Sequence, residues 1–431
     1  MDVMDKTHDS KLKSWVEVDD KSDFPIQNIP FGVYSPKKGG DLHVATAIGN
    51  YVLDLALLDE AGFFEGTEVE GTEVFHEPTL NAFMSLGRKA WKDTRKVISS
   101  ALDENNGKLR DDVDLKKLVL VPMENVQMEF PVDIGDYTDF YSSKEHASNV
   151  GTIFRGPENA LMPNWLHLPI AYHGRASSVI LDGGEIVRPK GQTKAPDALT
   201  PSFGDSKRMD FELEMGLFIG PGNGLGEPIS VEDAEEHIFG MALVNDWSAR
   251  DIQAWEYQPL GPFLAKNLAT TISPWIITLE ALEPFRCSGP MQDPEPLKYL
   301  RNKRDSTFDI NLEIHLKTDR MNDFDLISSS NYNYLYWDMN QQVAHHTTTG
   351  CNLRTGDMLA SGTISGPEKN SRGSMLELTW GWSEPIKLSN GEERIALENG
   401  DTVLLKGWCQ GKGYRIGFGN CTGKLIPSVK S

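Results

Sequence analysis

Cysteine is scarce in this sequence. Its four cysteines, Cys287, Cys351, Cys409 and Cys421, form no Cys-x-x-Cys pair and no zinc-type spacing with histidine. That argues against a disulfide-stapled secreted domain and a zinc module, and the expectation is reduced thiols in the cytoplasm. Long apolar runs are also lacking, so no stretch reaches the length of a bilayer span. Residues 1–15 are polar, without the apolar centre of a secretion signal, and residues 427–431 do not spell a peroxisomal address. Asn420-Cys421-Thr422 fits a glycosylation sequon that a cytoplasmic chain would not use. Positive charge is in deficit: 42 Lys and Arg stand against 63 Asp and Glu, a formal charge of −21. Such a field repels nucleic acid and anionic membranes, but leaves room for a small anionic substrate in a locally positive pocket. There is no Gly-x-Ser-x-Gly elbow and no phosphate-binding loop of the Gly-Lys-Ser/Thr type. Gly411-x-Gly413 and Gly417-x-Gly419 lie near the C-terminus, outside the strand–helix context of a dinucleotide fold.

What remains is an ordinary globular composition, 39% hydrophobic and 24% charged, in a chain of 431 residues. That length suggests two domains, with a boundary after the charged stretch Asp103 to Lys117. In the first part, 1–125, Phe31–Tyr34 and His43–Leu57 read as strands broken by turns at Lys37–Gly40 and Gly49-Asn50. Thr79–Leu102 carries apolar residues at helical spacing and predicts one helix or two. An acidic duplication, Gly66-Thr67-Glu68-Val69 and Gly71-Thr72-Glu73-Val74, reads as a solvated loop. In the second part, 126–431, Gly and Pro punctuation is dense. Short β-branched runs there predict strands at Ser178–Leu181, Phe211–Ile219, Phe239–Val244, Phe308–Leu316, Met375–Trp380 and Thr402–Gly407. The fold class is therefore mostly β, of the α+β kind.

Within Phe211–Ile219, strand alternation puts Phe211, Leu213, Met215 and Leu217 on one face and Glu212 and Glu214 on the other. Two carboxylates so close repel unless a cation lies between them. A solvent-facing strand with two harmless glutamates is the competing reading. Asp246 ends the apolar run Gly240–Val244 and Asn245, and needs a partner, either the same cation or Arg250. Asp139, in Asp136–Ser143, is a third candidate, with a turn or helix cap as its alternative. All-oxygen ligation selects Mg²⁺, Ca²⁺ or Mn²⁺ over zinc or iron. His146 follows closely, and an imidazole beside a metal suits general-base work if a carboxylate orients it. Glu377, flanked by apolar residues, is the candidate partner. Arg250, Gln253 and Tyr257 follow helical spacing and, with Lys266, could line one face as donors to an oxyanion, or form a solvated helix face. His345-His346 lacks a matching acidic motif and reads as structural.

The ordered segments Asp136–Ser143, Asn164–Pro169, Tyr172–Ser178, Phe211–Met215, Asn245–Asp251 and Leu359–Ser365 closely resemble the fumarylacetoacetate hydrolase family. The resemblance implies a small SH3-like N-terminal barrel, a β-roll catalytic domain and a homodimer. It implies Ca²⁺ or Mg²⁺ held by Asp139, Glu212, Glu214 and Asp246, with Lys266 and Thr270 at further metal-contacting positions. It implies His146 as base with Glu377 as its partner, and Arg250, Gln253 and Lys266 around the oxyanion. Tyr141, Arg155, Tyr172, Gln253, Tyr257 and Thr363 match substrate-contacting positions. The family reaction splits a carbon–carbon bond of a 1,3-diketone acid into fumarate and acetoacetate, the last step of tyrosine breakdown. The nearest rivals are an acylpyruvate hydrolase or decarboxylase of the same superfamily and, in another class, a non-catalytic metal-binding scaffold.

Overall fold

The computed structural model describes residues 4–429, so the extreme ends of the two terminal segments read above lie outside it. β1 (Phe31–Pro36), β2 (His43–Ile48) and β3 (Tyr51–Asp54) form an antiparallel meander. It turns where expected, through Gly39 and Gly49 at positive φ. The predicted strand to Leu57 stops early. Asp54 accepts the Leu57 amide at 2.9 Å and caps a helix over Leu55–Glu60. The helical stretch at 79–102 is two helices broken by Gly87 at φ 84°, the longer being α1 (Arg88–Leu102). β4 (Leu120–Pro122) and β5 (Val126–Glu129) complete a sheet of order β4-β3-β2-β1-β5. That sheet is open: β4 and β5 are its two edges, and no pairing joins them among the described residues. The acidic duplication is a pair of turns, not a wholly solvated loop. Gly66 and Gly71 both have positive φ, and Val69 and Val74 are both buried as anchors in the N-terminal core.

The second part is built on β6 (Tyr137–Phe140), β7 (Ala171–His173), β8 (Val179–Leu181), β9 (Leu213–Ile219), β10 (Ile238–Asp246), β11 (Thr270–Ile272) and β12 (Met358–Ala360). Their sheet order is β7-β6-β12-β9-β10-β11-β8, with Ile277–Thr278 also paired to β10. A second sheet joins 325–331, 311–317, 402–410, 415–426 and 184–187. Its strand 402–410 runs three residues past the predicted Gly407. Every residue of β9 and β10 is buried. The reason is two-sided packing. Met215, Leu217, Met241 and Leu243 enter the core of the second part, while Phe218, Phe239, Ala242 and Val244 pack with Phe31, Phe83 and Trp91 of the N-terminal part. Trp91 meets Phe239 edge-on at 5.1 Å and donates to the Phe83 carbonyl at 3.2 Å. A buried tryptophan at such a seam typically contributes roughly 3–5 kcal/mol, the cost of its truncation. The central strands thus have no solvent face, and the exposed-face alternative for Glu212 and Glu214 does not apply.

One predicted strand is a helix. Met375–Leu378 forms the single turn α4, because Ser374 caps it and the buried Asp210 accepts its first amides. These tertiary partners override the β-like alternation of Met375–Trp380.

Candidate active site

β6 and β7 pair so that Asp139 faces Tyr172, β9 and β10 pair so that Glu214 faces Val244, and β10 and β11 pair Asp246 with Thr270. Glu212 sits just before β9, bridged to Ser374. These registers bring Asp139, Glu212, Glu214 and Asp246 together, with one oxygen from each within 4.8 Å of the others. All four are buried. Among the described residues, both oxygens of Glu214 and Oδ1 of Asp139 have no hydrogen-bond partner. Two cations answer part of this charge. Lys266 Nζ donates to Asp246 at 2.7 Å and also binds Glu212, and Arg250 Nη2 donates to Glu212 at 2.6 Å. The bland pairing of Asp246 with Arg250 is therefore replaced: Arg250 holds Glu212 and Asp210, and Asp246 is held by Lys266, Thr270 at 2.9 Å and Tyr172 at 3.0 Å.

The electrostatics divide the quartet. Burial, then Asp139 and its fellow carboxylates, pushes Glu214 well above the ordinary carboxylate range. Burial and Asp246 do the same to Asp139. Burial also opposes the charge on Glu212, but Lys266 and Arg250 outweigh it and hold that carboxyl below its usual value. Three buried carboxylate oxygens left without donors are the deficiency a divalent cation would fill, and the donor set is all oxygen. The residues present therefore fit a hard metal ion.

Beside the quartet, His146 Nδ1 lies 2.7 Å from Glu377 Oε2, although 231 residues separate them in sequence. His146 is placed by the first turn of α2 (Lys144–Arg155), where Ser143 Oγ accepts its amide at 3.2 Å. Glu377 also accepts from Asn149 at 2.9 Å, Ser365 at 2.9 Å and Ser374 at 2.8 Å. Burial works against the Glu377 charge, but His146 and these donors keep its carboxyl below the usual range. An ionised Glu377 holds the proton on Nδ1 and leaves Nε2 as an acceptor.

A cavity of about 410 Å³ is lined by Asp139, Glu212, Glu214 and His146, and by Tyr141, Arg155, Tyr172, Arg250, Gln253, Tyr257, Lys266 and Thr363. Arg250 and Gln253 lie on α3 (Arg250–Glu256), joined at 3.1 Å, and Tyr257 follows at its end. Glu256 Oε1 accepts the amides of Phe263 and Ala265 and fixes the loop that returns Lys266. Arg155 spends Nε and Nη2 on the carbonyls of Asn159 and Ala160. Thr363 Oγ1 is buried without a partner among the described residues. Glu377, Asp246 and Thr270 stand one layer behind the lining. His345 and His346 lie elsewhere, against Tyr299 and Thr138. Asp210 was missed. A carboxylate within Met209-Asp210-Phe211, two residues before the Glu pair, was the available signal.

Two family models match the chain: "Fumarylacetoacetase N-terminal" over residues 27–131 and "Fumarylacetoacetate (FAA) hydrolase C-terminal" over residues 136–425. Proteins named fumarylacetoacetase are similar along nearly the whole chain. The one from Arabidopsis thaliana is 53% identical, covering 97% of this chain and 99% of its own. The one from Homo sapiens is 52% identical, covering 96% and 99%, and the one from Dictyostelium discoideum is 51% identical, covering 98% and 99%. Among solved structures, a fumarylacetoacetate hydrolase from psychrophilic Exiguobacterium antarcticum superposes with a TM-score of 0.51 at 16% identity, covering 93% of this chain and 99% of that one, which speaks for the fold alone.

Proposed function

The chain belongs to the fumarylacetoacetase family, and from that membership we infer the work of its site. It is a hydrolase that cleaves the carbon–carbon bond of 4-fumarylacetoacetate, giving fumarate and acetoacetate in tyrosine breakdown. His146 Nε2 takes a proton from water, with Glu377 fixing the tautomer and stabilising the imidazolium that forms. The hydroxide adds to the carbonyl carbon next to the fumaryl double bond, and the carbonyl electrons move onto oxygen. Arg250, Gln253 and Lys266 donate to that oxyanion. As the carbonyl re-forms, the bond to the neighbouring CH₂ breaks, and its electron pair leaves as the enolate of acetoacetate, which is then protonated to the methyl ketone. Arg155, with Tyr141, Tyr172, Tyr257 and Thr363, holds the substrate's carboxylates and carbonyls. Asp139, Glu212, Glu214 and Asp246, with Lys266 and Thr270 beside them, would hold a Ca²⁺ or Mg²⁺ ion, which would supply Lewis-acid stabilisation to the substrate's oxygens. The observation that carries this reading is the 2.7 Å His146–Glu377 contact in the same cavity as the carboxylate quartet.

The test against an acylpyruvate hydrolase is a spectrophotometric comparison of the two substrates. The expected kcat/KM favours fumarylacetoacetate by about a hundredfold or more. Equal or higher values for acylpyruvates would overturn the substrate assignment.

The remaining parts of the reading concern organisation. The N-terminal part is SH3-like and the second a β-roll. We place their junction near the 125/126 boundary, and the pairing of β5 with β1 supports a join between β5 and β6. The protein acts as a homodimer in the cytoplasm. Four free cysteines suit a reducing compartment. Leu199, Phe203, Leu260 and Phe263 are 98%, 73%, 95% and 64% exposed, apolar side chains that a second copy could cover. Light scattering should give twice the chain mass, and a monomer at micromolar concentration would refute the dimer.

A further inference from the structure

One buried carboxylate joins the two halves of the catalytic apparatus. Asp210 has no exposed surface. Its Oδ1 accepts the backbone amide of Met375 at 2.6 Å, and its Oδ2 accepts the amide of Leu376 at 3.1 Å. Those are the first two amides of α4, the turn that carries Glu377. The same Oδ2 accepts Arg250 Nε at 2.8 Å, while Arg250 Nη2 reaches Glu212. The Asp210 side chain therefore sets both the helix that presents the base's partner and the guanidinium that faces the oxyanion. It touches neither the cavity nor the quartet.

We propose that Asp210 is a positioning residue that couples the His146–Glu377 dyad to the oxyanion donor Arg250. This rests on the roles given above to Glu377 and Arg250. A carboxylate is required because every group facing it is a donor. An asparagine offers one acceptor oxygen, and its NH₂ group must then meet either the α4 amides or Arg250 Nε–H, donor against donor. Whichever contact is lost, Glu377 or Arg250 moves, and a misplacement of about 1 Å at reacting groups costs about 10² in rate.

The test is a double-mutant cycle on the metal-loaded enzyme, with rates referred to the folded, metal-binding fraction. Asp210→Asn alone lowers kcat by about 10²-fold with KM within about threefold. Added to Glu377→Gln or to Arg250→Lys, whichever partner it displaces, it costs less than about threefold more, because both act through one unit. A merely structural role would lower the folded fraction without this pattern. Asp210→Asn within threefold of wild-type kcat, or a full loss that multiplies with both Glu377→Gln and Arg250→Lys, would overturn the proposal. If Asp210→Asn does not fold, Asp210→Glu, which keeps the charge but displaces it, is judged by the same two criteria. A Glu377→Gln variant with normal turnover would instead refute the reading of the dyad, which separates the two failures.

Discussion

Glu377→Gln is expected to lower kcat by about 10³–10⁴-fold while leaving metal and substrate binding near wild type. The size follows from the hydrogen bonds. Glu377 faces four donors: His146 Nδ1–H, Asn149 Nδ2–H, Ser365 Oγ–H and Ser374 Oγ–H. A glutamine has one acceptor oxygen and an NH₂ group, so at least one donor faces another donor. Serine hydroxyls can rotate away, but the imidazole can answer only by moving its proton to Nε2. That tautomer cannot take a proton from water, and the imidazolium loses its counter-charge. The quartet is untouched, since Glu377 contacts none of its members. Steady-state kinetics with calorimetry of metal binding checks both halves. Near-normal turnover would remove the dyad from the mechanism.

Stripping the divalent ion is expected to abolish turnover, and adding back Ca²⁺ or Mg²⁺ to restore it. The unloaded protein should also show an inverted stability profile. Glu214 and Asp139 have their carboxyls raised well above the ordinary range by burial and by each other's neighbours. A carboxyl whose folded value is raised binds more protons in the native than in the unfolded state, so its contribution falls as pH rises. The loss begins above the ordinary carboxylate value and continues up to the raised ones. The unloaded protein should therefore melt at lower temperature as pH rises through that window. The loaded protein should not, because the ion replaces the protons. Glu214→Gln should flatten the unloaded profile. Thermal melts across pH, with and without Ca²⁺, read all three curves. A stripped protein with full turnover, or one whose melting rises through the window as an ordinary carboxylate protein's does, would contradict the metal site.

Much of this site is visible in the chain before folding is considered. Period-two alternation places Glu212 and Glu214 together, and the helical spacing of Arg250 and Gln253 puts both on the cavity side of α3. What alternation could not convey is that Phe218, on the face bearing Glu214, packs on the N-terminal part with Phe31 and Trp91. The burial that makes two glutamates expensive comes from the distant segments that wall the cavity, not from the strand itself. Glu377 shows a second limit. Its local pattern suits a strand, but Asp210, far back in sequence, and Ser374 supply the caps that turn it into a helix. Its meeting with His146 depends on β12 lying between β6 and β9, an order no local spacing encodes. Likewise, Val69 and Val74 looked like parts of a solvated loop because their anchoring partners come from elsewhere in the N-terminal core.

The most direct test of the central claim is calorimetric titration of Ca²⁺ or Mg²⁺ into the metal-stripped protein without substrate. The account predicts saturation at about one ion per chain, falling affinity as pH is lowered, and loss of binding in Glu214→Gln. No binding in the wild type, or equal affinity in Glu214→Gln, would contradict a cation held by Asp139, Glu212, Glu214 and Asp246.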